Sequence, residues 1–123
     1  MLTLKNFPKV LVEYKRKPSK FTAKVVINDE GFPEAKLQYI KGDVKGIVVA
    51  IGPNIIGWAL CDKKDKFSYE FGMDLALRRA LIAQKLSYRN RGNFYATIPT
   101  TMLEYFKRMD DRSEKYFSIT DSE

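Results

Sequence analysis

The spacing of hydrophobic and polar positions along the chain changes near Phe67. Before this point the sequence contains short apolar runs bounded by turn-forming residues, which is typical of β-strands. After it, apolar residues recur every three or four positions, as on a helix. The pattern predicts an α+β fold, in which an N-terminal antiparallel β-sheet of about five strands is followed by two C-terminal helices. The predicted strands cover residues 10–17, 21–28, 36–41, 47–51 and 55–61.

Turn-forming residues connect the predicted strands. Pro18-Ser19-Lys20 predicts a hairpin between the first two strands, and Gly52-Pro53-Asn54 predicts one between the last two. Both strands of the last hairpin are almost continuously apolar, so we expect them to be central strands covered on both faces. The charged segment 62–66 predicts a surface connector to the first helix.

The long helix predicted from Ser68 to Leu86 has two apolar stripes. We expect the sheet of the same chain to cover one of them. The stripe of mostly small residues suits close approach by the helix of a second copy, which predicts a homo-oligomer through the long helix. A helix buried within a monomer explains the same pattern. The large-residue stripe comprises Phe71, Leu75, Ile82 and Leu86, and the small-residue stripe comprises Met73, Ala76, Ala80 and Ala83.

The sequence after the long helix predicts a loop and a second helix. The segment 87–95 is dense in arginine, amide and aromatic side chains and is interpreted as a loop. Thr101 and Glu104 have the spacing of a capping box, which predicts a helix start at Thr101. The buried side of this helix is predicted to carry Met102, Phe106 and Met109.

Length and composition limit the class of protein. A chain of 123 residues that is 45% hydrophobic predicts a single domain over residues 1–123 with a packed core. No apolar run approaches the roughly 20 residues that cross a bilayer, and the N-terminal sequence lacks the apolar segment of a signal peptide. The one cysteine, Cys61, cannot form an internal disulfide. These features predict a soluble protein of the reducing cytoplasm.

Charge and the absence of histidine narrow the expected chemistry. The chain has 22 Lys and Arg against 15 Asp and Glu, a net charge of +7, which favours an anionic partner. Without histidine it lacks the commonest general base and transition-metal ligand. The sequence has no phosphate-binding glycine loop, no metal-ligand spacing and no activated nucleophile. We therefore expect a binding protein with no catalytic residues, metal or cofactor, rather than an enzyme.

The predicted loop supplies four of the candidate binding residues, Arg89, Arg91, Asn93 and Tyr95. Arginine pairs with phosphate oxygens, an asparagine amide reads a purine edge, and a tyrosine ring offers a stacking surface. An ordinary solvated loop, with its tyrosines packed on the domain, explains the same residues.

Arginines of the two helices complete the candidate ligand-binding set. Arg79 lies in the middle of the long helix, whereas Arg108 and Arg112 lie one turn apart on the second helix and could extend a basic patch. Salt bridges to Glu104 and Asp111 on a solvated helix face are the alternative for the second pair.

Several spaced groups of residues form a recognisable pattern, namely Gly57-Trp58-Ala59-Leu60-Cys61, Asp65-Lys66-Phe67, Gly72, Leu75-Ala76 and Arg79-Ala80. This pattern resembles one found in small bacteriophage-encoded proteins. Among such proteins, the chain resembles the phage anti-Thoeris sponge family. The resemblance implies a homo-oligomer in the host cytoplasm that binds cyclic ADP-ribose isomers made by bacterial TIR-domain immune proteins, without cleaving them. It also implies an N-terminal antiparallel sheet with C-terminal helices.

Two other functions remain open at this point. A small basic phage protein that binds nucleic acid would use the same arginines along a phosphate backbone. A phage protein that blocks a host enzyme by direct contact is the third possibility, although a net charge of +7 disfavours DNA mimicry.

Overall fold

The computed structural model describes residues 1–61 and 66–121, with side chains up to residue 118. The predicted connector at residues 62–66 lies outside this description except for Lys66, which is exposed. Single 3-10 turns cover Leu4–Asn6 and Thr100–Met102. The strands are β1 (Leu11–Arg16), β2 (Lys20–Ile27), β3 (Pro33–Ile40), β4 (Val44–Gly52) and β5 (Ile55–Leu60), and the helices are α1 (Tyr69–Lys85), α2 (Tyr88–Tyr95) and α3 (Leu103–Asp121).

The predicted α+β class is confirmed, and all strand pairs in the described residues are antiparallel. The five strands form two sheets, one with the order β1-β4-β5 and the other a β2-β3 hairpin. The predicted hairpin around Pro18-Ser19-Lys20 is wrong, because β1 pairs with β4, with Leu11 opposite Ala50 and Tyr14 opposite Ile47. This pairing gives the apolar strand β4 a neighbour on each side, as a central strand requires. The prediction that β5 is also central is wrong, because β5 lies at the edge of the sheet among the described strands.

The three-stranded sheet is covered on both faces, as the continuous apolar runs predicted. Helix α1 packs on one face and α3 packs on the other. Because the side chains of a strand alternate between faces, β4 contributes to both cores. The α1 core contains Ile47, Val49, Ala59, Ala76, Leu77 and Ala80, and the α3 core contains Val48, Ala50, Ile56, Trp58, Met102 and Met109.

Helix α1 lies within one residue of the predicted bounds at each end. Its small-residue stripe, however, does not face outward to a second copy as expected. Its buried residues are Gly72, Ala76, Leu77, Ala80 and Ala83, so the small side chains face the sheet of the same chain. The cause is the close approach of α1 to β5, because a Cβ atom on Gly57 would overlap the carbonyl oxygen of Ala76. The larger side chains are left on the outer face, where Phe71, Leu75 and Ile82 are exposed.

The segment predicted as a loop after α1 forms helix α2. The Ser87 hydroxyl accepts a hydrogen bond from the Asn90 backbone N–H at 3.4 Å, as an N-cap residue does. The polar composition of the segment indicated a loop, but the N-cap at Ser87 begins a helix. The described residues therefore form three α-helices, whereas the sequence predicted two.

Helix α3 begins close to the predicted position. The 3-10 turn starts after Pro99, so Thr101 lies inside the turn rather than at its N-cap. The predicted buried side is confirmed, since Met102 and Met109 are fully buried and Phe106 is half-buried. This side places α3 against the sheet and leaves its remaining faces available to form a site with α2.

The β2-β3 hairpin lies between β1 and β4 in the sequence and forms a separate sheet. We call residues 18–42 the arm and the other described residues the body. At the neck of the arm, the Lys17 N–H donates to the Asp43 carbonyl at 2.8 Å, and the Gly42 N–H donates to the Ser19 hydroxyl at 3.2 Å. Any side chain at Gly42 would overlap the Lys17 backbone carbonyl. All eight residues of β3 are exposed.

Candidate functional site

A cavity of about 410 Å³ lies where α2, α3 and the β4-β5 turn meet. We call it the α2-α3 cavity. Its volume lies within the range of about 300–1,000 Å³ that is usual for small-molecule sites. Its walls combine aromatic, amide, basic and acidic side chains, namely Asn54, Tyr88, Arg91, Tyr95, Phe106, Asp110 and Glu114, together with Gly92.

Tyr95 fixes α2 to the turn at the base of this cavity. Its hydroxyl donates to the Asn54 carbonyl at 2.7 Å and accepts from the Ile56 N–H at 2.9 Å. The ring also packs edge-on against Phe106 of α3, with 4.8 Å between centroids. Burial raises the pKa of the Tyr95 phenol, although the hydrogen bond from Ile56 acts in the opposite direction. The hydroxyl is therefore neutral at physiological pH and serves as a fixed connection.

Asn54 joins the same turn to α3. Its backbone adopts a left-handed conformation with φ 61°, which asparagine tolerates better than most residues. Its N–H donates to the hydroxyl of the fully buried Ser113 at 3.0 Å, and its side-chain amide donates to Asp110 Oδ1 at 2.5 Å. These contacts orient the Asp110 carboxylate at the wall of the cavity.

Arg91 provides the basic side of the cavity. Its Nε donates to the Ala83 carbonyl at 2.9 Å and Nη2 donates to the Leu86 carbonyl at 3.5 Å, so it caps the C-terminal end of α1. A cation in this position is also favoured by the helix dipole. Because a guanidinium carries five N–H groups, donors remain beyond these two contacts.

The α2-α3 cavity is electrostatically mixed rather than basic. Arg91 lines the same cavity as Asp110 and Glu114, while Tyr88 at the rim is 90% exposed. An aromatic ring can stack on a base, carboxylates accept hydrogen bonds from ribose hydroxyls or amino groups, and an arginine binds a phosphate. The arrangement suits a nucleotide with few negative charges better than a polyphosphate.

Of the seven predicted binding residues, only Arg91 and Tyr95 line the cavity. Arg89 and Asn93 also lie on α2, where they are exposed and do not line the cavity. Arg79 lies on α1, on the side that faces β5, where its Nη1 donates to the Trp58 carbonyl at 2.9 Å and its guanidinium lies over the Trp58 ring at 5.2 Å from the centroid. Burial lowers the pKa of Arg79. Its visible role is to bind α1 to β5.

Arg108 and Arg112 converge on Glu13 of β1 instead of the cavity. Their guanidinium nitrogens lie 3.4 and 3.5 Å from the two carboxylate oxygens, in place of the pairs with Glu104 and Asp111 that the sequence allowed. Both arginines are about half exposed, whereas the Glu13 side chain is only 19% exposed, so these ion pairs are partly buried. The predicted extension of one basic patch from the loop to the second helix is therefore not formed.

Sequence reasoning missed most of the residues that line the α2-α3 cavity. A usable signal was present on α3, because Phe106, Asp110 and Glu114 are spaced by four residues and share one helix face. On α2, Tyr88, Arg91 and Tyr95 are three and four residues apart, but this spacing puts them on one face only if the segment is a helix. The missed residues are Asn54, Tyr88, Phe106, Asp110 and Glu114.

A larger cleft of about 570 Å³ lies between residues 1–5 and the start of α1. The Leu2 N–H donates to Asp74 at 2.7 Å, and this bond lowers the pKa of that carboxyl. The walls of this cleft are mainly apolar, with Tyr69 and Met73 on the helix side. We favour the smaller α2-α3 cavity because it alone of the two combines a guanidinium with carboxylates and an exposed ring.

Within residues 1–61 and 66–121, no helix is both long and apolar enough to cross a membrane. The same described part of the chain contains no group of three or more His, Cys, Asp or Glu side chains that could hold a metal ion. Models of known protein families, curated protein sequences and solved structures were compared with the chain, and none of them matches it.

Proposed function

We propose that the protein is a non-catalytic binding protein that sequesters a small adenine nucleotide of the cyclic ADP-ribose type in the α2-α3 cavity. The observation that carries this proposal is the meeting of an exposed ring, a guanidinium and two carboxylates around about 410 Å³. The anti-defence role in a phage-infected host cytoplasm follows from the sequence resemblance and belongs to the same proposal.

Each wall of the cavity has a defined part in binding. Tyr88 stacks on the purine, because its ring is almost fully exposed at the rim. Arg91 pairs with a phosphate oxygen through the N–H groups that α1 does not use. Glu114 accepts hydrogen bonds from ribose hydroxyls, as acidic residues do in many nucleotide sites. Sequestration requires slow release rather than turnover, so these contacts are sufficient.

The test is a retention experiment with a cyclic ADP-ribose isomer. Protein is incubated with the nucleotide, free ligand is removed, the protein is heat-denatured, and the released compound is identified by mass spectrometry. Wild type is expected to release intact nucleotide, and Tyr88→Ala and Glu114→Gln are expected to retain at least about tenfold less. Arg89→Ala and Asn93→Ala are matched controls on α2 that should retain it fully.

Two outcomes contradict the proposal. Release of a hydrolysed product means that the protein is an enzyme. Equal retention by wild type and Tyr88→Ala means that the nucleotide binds elsewhere. Tyr88 is suited to this test because its substitution removes an exposed side chain and leaves the internal hydrogen bonds of Tyr95 and Arg91 intact.

Nucleic-acid binding is a second candidate function, favoured by the polar face of the arm. Lys24 of β2 lies directly opposite Lys36 of β3, and Lys20 lies on the same face. Like charges at opposed positions destabilise a hairpin, so their presence suggests an anionic partner. A two-stranded ribbon also fits the major groove of DNA.

Salt dependence separates the two candidates. Binding of a short DNA through several lysines should weaken steeply with salt, and Lys24→Ala with Lys36→Ala should reduce the slope of log K against log salt by about 2. Tyr88→Ala is the control that should leave DNA binding unchanged. If wild type does not bind DNA at low salt, the second candidate is excluded.

A further inference from the structure

One face of the arm is apolar along its whole length. The strand register places eight apolar residues on this face in four opposed pairs: Phe21 and Tyr39, Ala23 and Leu37, Val25 and Ala35, and Ile27 and Pro33. The five largest side chains remain open to solvent, with exposed fractions of 68% for Phe21, 68% for Val25, 67% for Ile27, 80% for Leu37 and 57% for Tyr39.

An arm of this composition needs a partner. A two-stranded hairpin on its own is marginally stable in water, and a covering layer on its apolar face supplies what is missing. The only ring contact on this face, between Phe21 and Tyr39 with 5.3 Å between centroids, leaves both rings more than half exposed. A contiguous apolar patch of this kind marks an interaction surface.

The distribution of charge along the arm favours a second copy as the partner. Residues 18–24 and 36–42, at the base, contain four Lys and no Asp or Glu. Residues 25–35, towards the tip, contain three Asp or Glu and no Lys or Arg. Lys20, Lys24 and Lys36 lie on the polar face, whereas Lys41 follows Tyr39 by two positions and therefore falls on the side of the apolar face. When two such arms lie face to face and antiparallel, the acidic tip of each lies near Lys41 of the other. The arm is therefore complementary in charge to itself.

We propose that the arm is a dimerisation element, whose apolar face packs on the same face of the arm of a second copy across a two-fold axis. Such an interface is isologous, because the same surface is used by both chains. The small side chains Ala23 and Ala35 leave hollows beside Leu37, and the Leu37 side chain of the second copy fills them. The inference is independent of the nucleotide site, which lies on the body.

The available area agrees with a stable contact. Burial of a large apolar side chain removes on the order of 100 Å² from water, so five of them contribute roughly 500 Å² per copy. The two copies together bury roughly 1,000 Å², which reaches the lower limit for a specific interface. Because the interface lies at this limit, the dimer should dissociate measurably on dilution.

Light scattering after gel filtration tests the proposal over a range of protein concentrations. Wild type is expected at twice the chain mass of 14.2 kDa, and Leu37→Glu is expected at 14.2 kDa. Gln38→Glu is the matched control, because Gln38 is the next residue on β3 and points to the opposite, polar face. It should remain dimeric. Thermal unfolding establishes that the body of each variant is folded.

Charge reversal tests the antiparallel arrangement. Reversal at the tip, with Asp29→Lys and Glu30→Lys, should weaken dimerisation about tenfold, and reversal at the base, with Lys41→Glu, should also weaken it. A mixture of the two variants should restore it, because each altered tip then meets an altered base of opposite charge. Unchanged dimerisation of both variants alone contradicts the antiparallel packing.

Three results would overturn the proposal. One is a wild-type chain that remains monomeric at high concentration. Another is a Leu37→Glu variant that remains dimeric. The third is loss of the dimer in Ile82→Glu with Leu37→Glu unaffected, since Ile82 lies on the exposed outer face of α1. That last result would place the interface on the long helix.

Discussion

The hydroxyl of Tyr95 on α2 donates a 2.7 Å hydrogen bond to the carbonyl oxygen of Asn54, which lies 41 residues earlier in the turn between β4 and β5. The same hydroxyl accepts from the Ile56 N–H, so one side chain satisfies two backbone groups of the central hairpin. The contact sets the distance between the turn and α2 and thereby the floor of the α2-α3 cavity.

Replacement of Tyr95 by phenylalanine should lower the free energy of unfolding by about 1–3 kcal/mol. The aromatic packing against Phe106 is retained, but the Ile56 N–H and the Asn54 carbonyl each lose a partner in a partly buried place. Urea denaturation measures the difference. Tyr88→Phe is the matched control, because its hydroxyl lies on an exposed ring and its removal should change stability by less than about 0.5 kcal/mol. Equal effects of the two changes would contradict the assigned role of Tyr95.

The same residue should make stability depend on alkaline pH. Burial raises the pKa of Tyr95 above its ordinary value of 10.0, so the unfolded chain loses the phenolic proton more readily than the folded chain. The stability due to this shift is fully present below pH 10 and is lost as pH rises through the folded pKa. Denaturation midpoints between pH 9 and pH 11.5 should fall more steeply for wild type than for Tyr95→Phe. If the midpoints of wild type and Tyr95→Phe changed equally with pH, the pKa of Tyr95 would be the same in the folded and unfolded chains.

Introduction of alanine at Gly57 should disrupt the packing of α1 on β5. The added Cβ would overlap the Ala76 carbonyl and lie 2.6 Å from the Ala80 backbone nitrogen, and neither backbone atom can move without the helix. We expect a loss of about 3 kcal/mol or more, which thermal unfolding would measure. Gly92→Ala is the opposite control, because a Cβ there meets no atom within 4 Å and alanine favours the helix by about 0.5–1 kcal/mol. A stable Gly57→Ala protein would contradict the close approach.

Charge substitutions on the two stripes of α1 should have different effects. Ala80→Lys places a cation where the side chain is fully buried against the sheet, so the body should unfold or lose several kcal/mol of stability. Ile82→Glu changes an exposed side chain on the outer face and should leave the fold intact. Circular dichroism and thermal unfolding compare them. A folded Ala80→Lys chain that has only changed its oligomeric state would support the original expectation that the small-residue stripe faces a second copy.

The elements that the sequence predicted well are those specified by local signals. Ser68 and the switch in apolar spacing located α1 to within one residue, and the apolar runs on both sides of Asn54 located the central hairpin. Local signals gave a wrong prediction where a strand pairs with a partner that is distant in the sequence. Pro18 marks the neck of the arm rather than a tight turn, because β4 competes successfully for β1.

The candidate site was harder to predict than the fold. The sequence does not show whether an arginine binds a ligand or a backbone carbonyl. Arg79 and Arg91 both donate to backbone carbonyls of the same chain. The acidic wall formed by Asp110 and Glu114 depends on contacts with the turn at Asn54, more than 50 residues away. No spacing rule joins such distant segments, so only the tertiary structure brings them together.

The neck between Lys17 and Asp43 has a kinetic consequence for the sheet. To pair β1 with β4, the chain must bring together two strands separated by the whole arm, and the entropy lost on closing a loop increases with its length. A β2-β3 hairpin that forms first through local pairing shortens this loop to the few residues of the neck. Contacts of low sequence separation then replace a search over long separations, which speeds folding. We therefore expect substitutions that weaken the hairpin to slow the folding of the body, although no side chain of the arm belongs to its core clusters.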